Sequence, residues 1–213
     1  NNDIELEEKT IEILLHDHLE LQADMSVPKI YLYSSNRLYF GGGKFYKFRA
    51  SSVHWGYDKE DNDKYSSIRR INYAPTCFML INKSVFGAVG MMDENYFVYY
   101  DDTDFIYRTQ QLGLKLIYIP LTSIQHKESV CTGRRSDFFY KYLFRNRVYF
   151  LMKNFKLYPY YISLDFILLY TVRLLKMRKS IAQWKLIRTA MFNGFKMYDD
   201  VRKRNALLDG DDK

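Results

Sequence analysis

Asn95-Tyr96-Phe97-Val98-Tyr99-Tyr100-Asp101-Asp102-Thr103-Asp104-Phe105-Ile106-Tyr107-Arg108 places Asp101, Asp102 and Asp104 directly after an aromatic run. A helical pattern then takes over through Leu112, and Gly113 closes it. Carboxylates beside a buried strand end are costly unless cations or polar groups meet them. The residues alone admit two readings. One is an acidic site at an element boundary. The other is a capped helix, since Asp favours the N-cap and the positive end of the helix dipole.

Upstream of this stretch, Ile71 to Ile81 is largely apolar and reads as a buried strand region, and Lys83 to Val89 as a short helix stopped by Gly90. Downstream, Leu114 to Ile119 predicts a strong strand that Pro120 ends, followed by Ser123-Ile124-Gln125-His126-Lys127. Earlier in the chain, Glu5 to Leu21 reads as one helix, and Lys29 to Tyr33 as a strand after Pro28. Gly41-Gly42-Gly43 lacks the Lys-Ser/Thr ending of a phosphate loop and reads as flexible. Residues 44–70 show no clear period and read as a loop over an opening, with His54-Trp55 standing out.

The back of the chain differs in character. Ser136 to Asn154 predicts an aromatic, basic helix, and Ser180 to Asn205 another. Tyr160 to Met177 approaches membrane-span length, but Asp165 and Arg173 interrupt it, so an amphipathic or interfacial helix is the better reading. From Arg134 to Arg204 seventeen Lys and Arg stand against four Asp and Glu, whereas the first 133 residues are slightly acidic. Such a basic face suits an anionic lipid surface, or is simply solvated. No nucleic-acid recognition motif is present, so nucleic acid is not an expected partner.

The 213 residues, 47% hydrophobic, suffice for one core with a helical appendage. Twenty Tyr and 15 Phe favour surfaces that take sugars, bases or headgroups. Cys77 and Cys131 form no CxxC pair or disulfide framework, which points to a reducing compartment. No signal peptide opens the chain and no Met begins it, so the expectation is a sequence that starts in mid-protein.

Three separated pieces resemble the family 2 glycosyltransferases of the GT-A fold, in particular their bacterial rhamnosyltransferase-like and galactofuranosyltransferase-like branch. Asn1-Asn2-Asp3 looks like that branch's Asp-x-Asp metal motif. Pro75 to Ile81, then Phe86, Gly90, Asp93-Glu94 and Phe97 to Asp104, with Arg108 and Gly113, look like its acceptor-side segment. Tyr118-Ile119-Pro120, His126 and Arg145-Asn146-Arg147 are similar to its Val-Pro, His and Arg-Asn elements. Asp101 stands where the family usually has Glu, and Thr76 where it often has Gly. The resemblance covers about residues 1–155.

The resemblance implies an α/β chain: the C-terminal part of a GT-A, Rossmann-like sheet over residues 1–133, then a mostly helical, basic extension over residues 134–213. The nucleotide-binding half would precede Asn1, so these residues alone are expected to be inactive, with an exposed apolar sheet edge that invites a homodimer. The implied reaction is inverting, metal-assisted transfer from a nucleotide-diphosphate sugar to a saccharide or lipid-linked acceptor. It would serve bacterial surface polysaccharide synthesis, in the cytoplasm or at the inner face of the cell membrane. Asp3 and His126 are the implied ligands of Mn²⁺ or Mg²⁺. Asp102 is the implied base, with Asp101 beside it in the catalytic pair. His54, Trp55, Thr76, Asp104, Arg134 and Arg135 are the candidate substrate contacts. The competing reading is a non-catalytic module for a membrane surface rich in anionic lipid.

Overall fold

The computed structural model describes residues 2–127, 136–167 and 181–208. Asn1, Arg134 and Arg135 lie outside the described residues, as does most of the apolar stretch predicted over residues 160–177. The chain divides into two compact units, Asn1–Asn95 with Asp101–Val130, and Tyr96–Tyr100 with Cys131–Lys213. The fold class is mixed α/β, as expected, with helices making up the described C-terminal part.

The first unit is built on two long strands, β2 (Met25–Leu32) and β8 (Leu116–His126), which run parallel. β1 (Ile4–Leu6) pairs antiparallel with the end of β8, and β3 (Leu38–Phe40) with the end of β2. β6 (Arg69–Ile71) and β7 (Leu80–Ile81) add to the start of β8 and β2. β4 (Gly43–Tyr46) and β5 (Ser51–His54) form a separate hairpin. The helices of this unit are α1 (Thr10–Glu20), α2 (Lys83–Val89) and α3 (Asp101–Gln111).

Alternation along β8 decides its two faces. Ile117 and Ile119 meet Leu14 of α1 in one small cluster. Leu116 and Tyr118 point the other way, into the main core with Met25, Val27, Phe105 and Ile106. A buried polar tie joins α1 to the sheet: His18 donates from Nε2 to Asn82 Oδ1 at 2.9 Å, which leaves Nδ1 to accept from the Ser26 hydroxyl at 2.9 Å. On the far part of β2, Lys29 and the Tyr31 hydroxyl both reach Asp61 Oδ2 at 2.6 Å and pin residues 58–65 to the strand.

The structure departs from the sequence expectations in five places, one being the run Ile71–Ile81, which is buried over much of its length but is strand only at its two ends, in β6 and β7. Ile4–Leu6 is a strand, not the first turn of a helix, because its backbone pairs with Ile124–His126. Pro120 does not end β8. Register with β2 passes from Pro28↔Ile119 to Lys29↔Ser123, so both prolines sit where ladder bonds are already interrupted, and the strand resumes to His126. The glycine triplet is buried rather than flexible. Gly42 has φ +107° and a Cβ there would lie 2.6 Å from the Trp55 ring, while a Cβ on Gly43 would lie 2.8 Å from the Tyr73 carbonyl. Residues 44–70 are the β4–β5 hairpin, short 3₁₀ turns and β6, held by tertiary partners that no local period reveals.

In the second unit α4 (Asp137–Asn154), α5 (Tyr158–Ile167) and α6 (Ile181–Leu208) pack together. Ser136 caps α4 by accepting from the Phe139 N–H at 3.1 Å. Gly194 lets α6 approach α4, since a Cβ there would fall 2.5 Å from the Arg145 carbonyl. Asp165, read as an interruption of an apolar helix, forms a two-point pair with Arg147, from Nε to Oδ2 and from Nη2 to Oδ1 at 2.9 Å. Among the described residues no helix is long and apolar enough to cross a membrane.

Candidate active site

The acidic stretch changes unit within itself. Its aromatic front, Tyr96–Tyr100, belongs with the helices, and Asp101 opens α3 in the first unit. Phe97, Tyr99 and Tyr100 have φ of 66°, 61° and 69°, a left-handed run that costs about 1–3 kcal/mol per residue unless its surroundings fix it. Asn146, fully buried, supplies that fixing: its amide lies 2.9, 2.6 and 2.9 Å from the carbonyls of Tyr96, Val98 and Tyr99. Arg145 adds a donor to the Tyr96 carbonyl at 2.8 Å, and Arg147 reaches the Tyr100 hydroxyl at 3.1 Å. The Arg-Asn-Arg element picked out in the sequence thus holds the backbone that leads into the acids.

The three acids have separate environments. Asp104 is fully buried and accepts from Arg108 Nε at 2.9 Å. Arg108 also donates to the carbonyls of Val89, the last residue of α2, and of Met91 just beyond it. Asp104 therefore ties α3 to its neighbours through the i,i+4 pairing with Arg108 that its spacing also allowed, and it does not face solvent. Asp101 is half-buried at the first position of α3. Asp102 accepts from the Tyr73 hydroxyl on Oδ2 at 2.9 Å. Its Oδ1 takes the Thr103 N–H at 2.6 Å and the Thr103 hydroxyl at 3.1 Å. Burial first, and the charge of Asp101 second, push Asp102 up to about 6, against the Tyr73 and Thr103 donors. Such a carboxyl is mostly ionised at neutral pH yet takes a proton readily, as a general base needs.

Behind Asp102 lies a row of rings. His54 contacts Tyr73 at 5.6 Å, Tyr39 at 5.0 Å and Phe40 at 5.3 Å between ring centroids. Tyr39 in turn lies edge-on to His126 at 4.7 Å. His54 is therefore enclosed by side chains, although part of its surface remains accessible. Burial lowers it to about 4, with a further push from His126 against the Tyr39 carbonyl that it meets. Trp55 packs onto the main core and over Gly42, with Arg69 6.0 Å from its ring. Thr76 is half-buried between β6 and β7.

At the other end of this row the structure joins Asp3 to His126. β1–β8 pairing places the Lys127 N–H on the Asp3 carbonyl at 2.9 Å, and His126 Nε2 then lies 3.3 Å from Asp3 Oδ2. Asp3 Oδ1 and His126 Nδ1 are buried with no hydrogen-bond partner. A carboxylate and an imidazole side by side, with atoms left over, fit two ligands of a divalent cation whose remaining positions go to substrate oxygens and water. No group of three or more His, Cys, Asp or Glu gathers for a metal among the described residues.

Sequence reasoning missed Tyr73, Tyr39 and the role of Asn146. A hydroxyl in the apolar run Ile71–Ile81 was the available signal for Tyr73, since a buried Tyr usually finds a partner for its O–H.

No family model matches the chain. It is 34% identical over 68 residues to N-acetylglucosaminyl-diphospho-decaprenol L-rhamnosyltransferase of Mycobacterium tuberculosis, covering 32% of this chain and 22% of that protein. It is 29% identical over 92 residues to low-salt glycan biosynthesis hexosyltransferase Agl10 of Haloferax volcanii, covering 43% and 29%. The chain thus matches less than a third of the length of these curated relatives.

Proposed function

We propose that this chain carries the metal and acceptor side of an inverting glycosyltransferase. In this reading a sugar passes from a nucleotide-diphosphate donor to the hydroxyl of a saccharide or lipid-linked acceptor, in the building of a surface polysaccharide. The observation that carries the reading is Asp102: a carboxyl raised to about 6, aimed by Tyr73, in the same unit as the Asp3–His126 pair. The partial likeness to two proteins named as a rhamnosyltransferase and a hexosyltransferase supports the reaction class.

Asp102 takes the proton of the attacking acceptor hydroxyl as the new bond forms. Thr103 holds Oδ1 with two donors, which leaves Oδ2, the oxygen that Tyr73 meets, to take the proton, and Asp101 keeps the base strong by opposing its charge. Asp3 and His126 would hold Mn²⁺ or Mg²⁺, which when bound neutralises charge on the departing diphosphate. His54 and Trp55 stay in this proposal as the aromatic side of the site, and Thr76 as a contact near the acceptor. The reading also places the protein in the cytoplasm or at the inner face of the membrane.

The test uses the full-length protein with a panel of nucleoside diphosphate sugars. Asp102→Asn should abolish transfer while donor binding survives. Undiminished turnover by that variant removes the base assignment.

A further inference from the structure

The hydrogen that Tyr73 gives to Asp102 has a second acceptor within reach. His54 Nδ1 lies 3.1 Å from the Tyr39 carbonyl, and a carbonyl only accepts, so Nδ1 carries the imidazole hydrogen. In the neutral ring Nε2 is then a bare acceptor, and it lies 3.5 Å from the Tyr73 hydroxyl oxygen. That distance is long for a formed hydrogen bond, whereas the 2.9 Å contact to Asp102 Oδ2 is ordinary. The Tyr73 hydroxyl has one hydrogen, with Asp102, His54 and the Ser52 hydroxyl in reach of it, and with Asp102 ionised the carboxylate takes it. Burial holds the phenol well above its usual range, so Tyr73 stays a neutral hydroxyl throughout.

We propose that Tyr73 and His54 form a hydrogen-bond switch behind Asp102: Tyr73 donates to the carboxylate while it is ionised and turns its hydrogen onto His54 Nε2 when the carboxyl becomes protonated. This deepens the base role given to Asp102 above and rests on it. The balance is simple. The acceptor's proton ends on Asp102, whose new O–H donates to the Tyr73 oxygen. The Tyr73 hydrogen rotates to His54 without leaving its oxygen, and His54 keeps Nδ1–H on the Tyr39 carbonyl. Both protonation states of Asp102 are then satisfied, which a fixed donor cannot do. Tyr73 and His54 are positioning residues in this scheme, since neither touches the reacting atoms.

Asp101 faces Asp102 from its own helix, and the buried Cys77 thiol feels the charges of Asp102 and Asp3 from another element. Tyr39, Tyr57, Tyr73 and His126 surround or act on His54, and Ser52 donates to Tyr73.

The test needs no substrate. The chain, labelled with ¹³C at Asp carboxyls and ¹⁵N at His rings, is titrated by NMR. In the wild type Asp102 should titrate near 6, and the His54 Nε2 shift should move with the same midpoint while Nδ1 remains protonated. Tyr73→Phe should raise the Asp102 midpoint by about half a pH unit, because the ionised state loses a charge-assisted donor and the protonated state only a neutral acceptor, and should uncouple His54 from it. His54→Phe should lower the midpoint by about half a unit or more, because the protonated state loses its second acceptor. These opposite signs are not what a packing role for His54 gives. A His54 Nε2 signal that stays flat through the Asp102 transition, which needs no variant to observe, overturns the switch and leaves the base intact. An Asp102 midpoint in the ordinary carboxylate range overturns the base reading and the switch together.

Discussion

Asn146, fully buried in α4, donates its side-chain amide to the backbone carbonyl of Val98 at 2.6 Å. The two hydrogens of that amide are shared with the carbonyls of Tyr96 and Tyr99, the first of which Arg145 also serves, so one side chain ties together a segment with three left-handed aromatic residues. Asn146→Ala should destabilise the protein by about 2–4 kcal/mol, read as a lower denaturant midpoint at unchanged m-value. Asn146→Asp keeps the shape but turns donors into acceptors facing carbonyls, and should cost at least as much.

Asp102→Asn should stabilise the fold at neutral pH while removing transfer. The folded-state value is raised from 3.8 to about 6, so the folded protein holds this proton more tightly than the unfolded chain. Asp102 therefore favours folding at low pH, and that contribution fades as pH rises from about 4 through 6. The amide removes the loss. Its gain at pH 7 is at most about 3 kcal/mol, reduced by partial exposure, and it should vanish below pH 4. Thermal melts of both proteins at pH 4 and pH 7 check this. A variant no more stable than wild type at pH 7 would contradict the burial cost assigned to the charge.

Millimolar Mn²⁺ should raise the melting temperature of the wild-type chain, and neither Asp3→Ala nor His126→Ala should respond. A cation that binds only the folded state stabilises it by mass action, by about 1.4 kcal/mol at ten times its dissociation constant. The control is Asp104→Asn, whose partner is Arg108 and which should keep the Mn²⁺ response even if its own melting point falls.

Gly194→Ala should cost about 1–3 kcal/mol although Ala is the better helix former. The added methyl would sit 2.7 Å from Val148 Cβ as well as against the Arg145 carbonyl, both rigid parts of α4. Chemical denaturation of the variant reads the loss directly. A neutral or stabilised variant would mean that α4 and α6 have room to separate.

Where neighbours in sequence decided the structure, it was readable. Lys83–Val89 with Gly90 behind it is the helix its pattern predicted, and Asp101–Gln111 begins at the acids and ends before Gly113. The proximity of Asp3 and His126, drawn from a resemblance between distant pieces, is a geometric fact of the β1–β8 pairing. What remained hidden depends on partners across space. Ile4-Glu5-Leu6 has no strand signature until β8 lies beside it, and Gly42 is pinned by a Trp thirteen residues later. The i,i+4 spacing of Asp104 and Arg108 is readable in the sequence, whereas nothing local shows that Tyr73 meets Asp102.

The interruption of β8 at Pro120 works as a spacer. Between Pro28 and Lys29 the partner strand advances by four residues where one would be ordinary, so β8 holds three more residues than β2 over the same length. Uninterrupted, the ladder would put Ser123 across from Leu32, where His126 now stands. Leu116, Tyr118 and Ile124 all face the main core, so β8 keeps its alternation across the spacer, and the shift falls in β2, where Val27 and Ile30 face that same core. The imidazole reaches Asp3 because the length of this insertion is right. An alteration of one residue in Pro120-Leu121-Thr122 would redirect it as surely as mutating it, which makes a segment resembling an idle kink one of the most length-sensitive points of the chain.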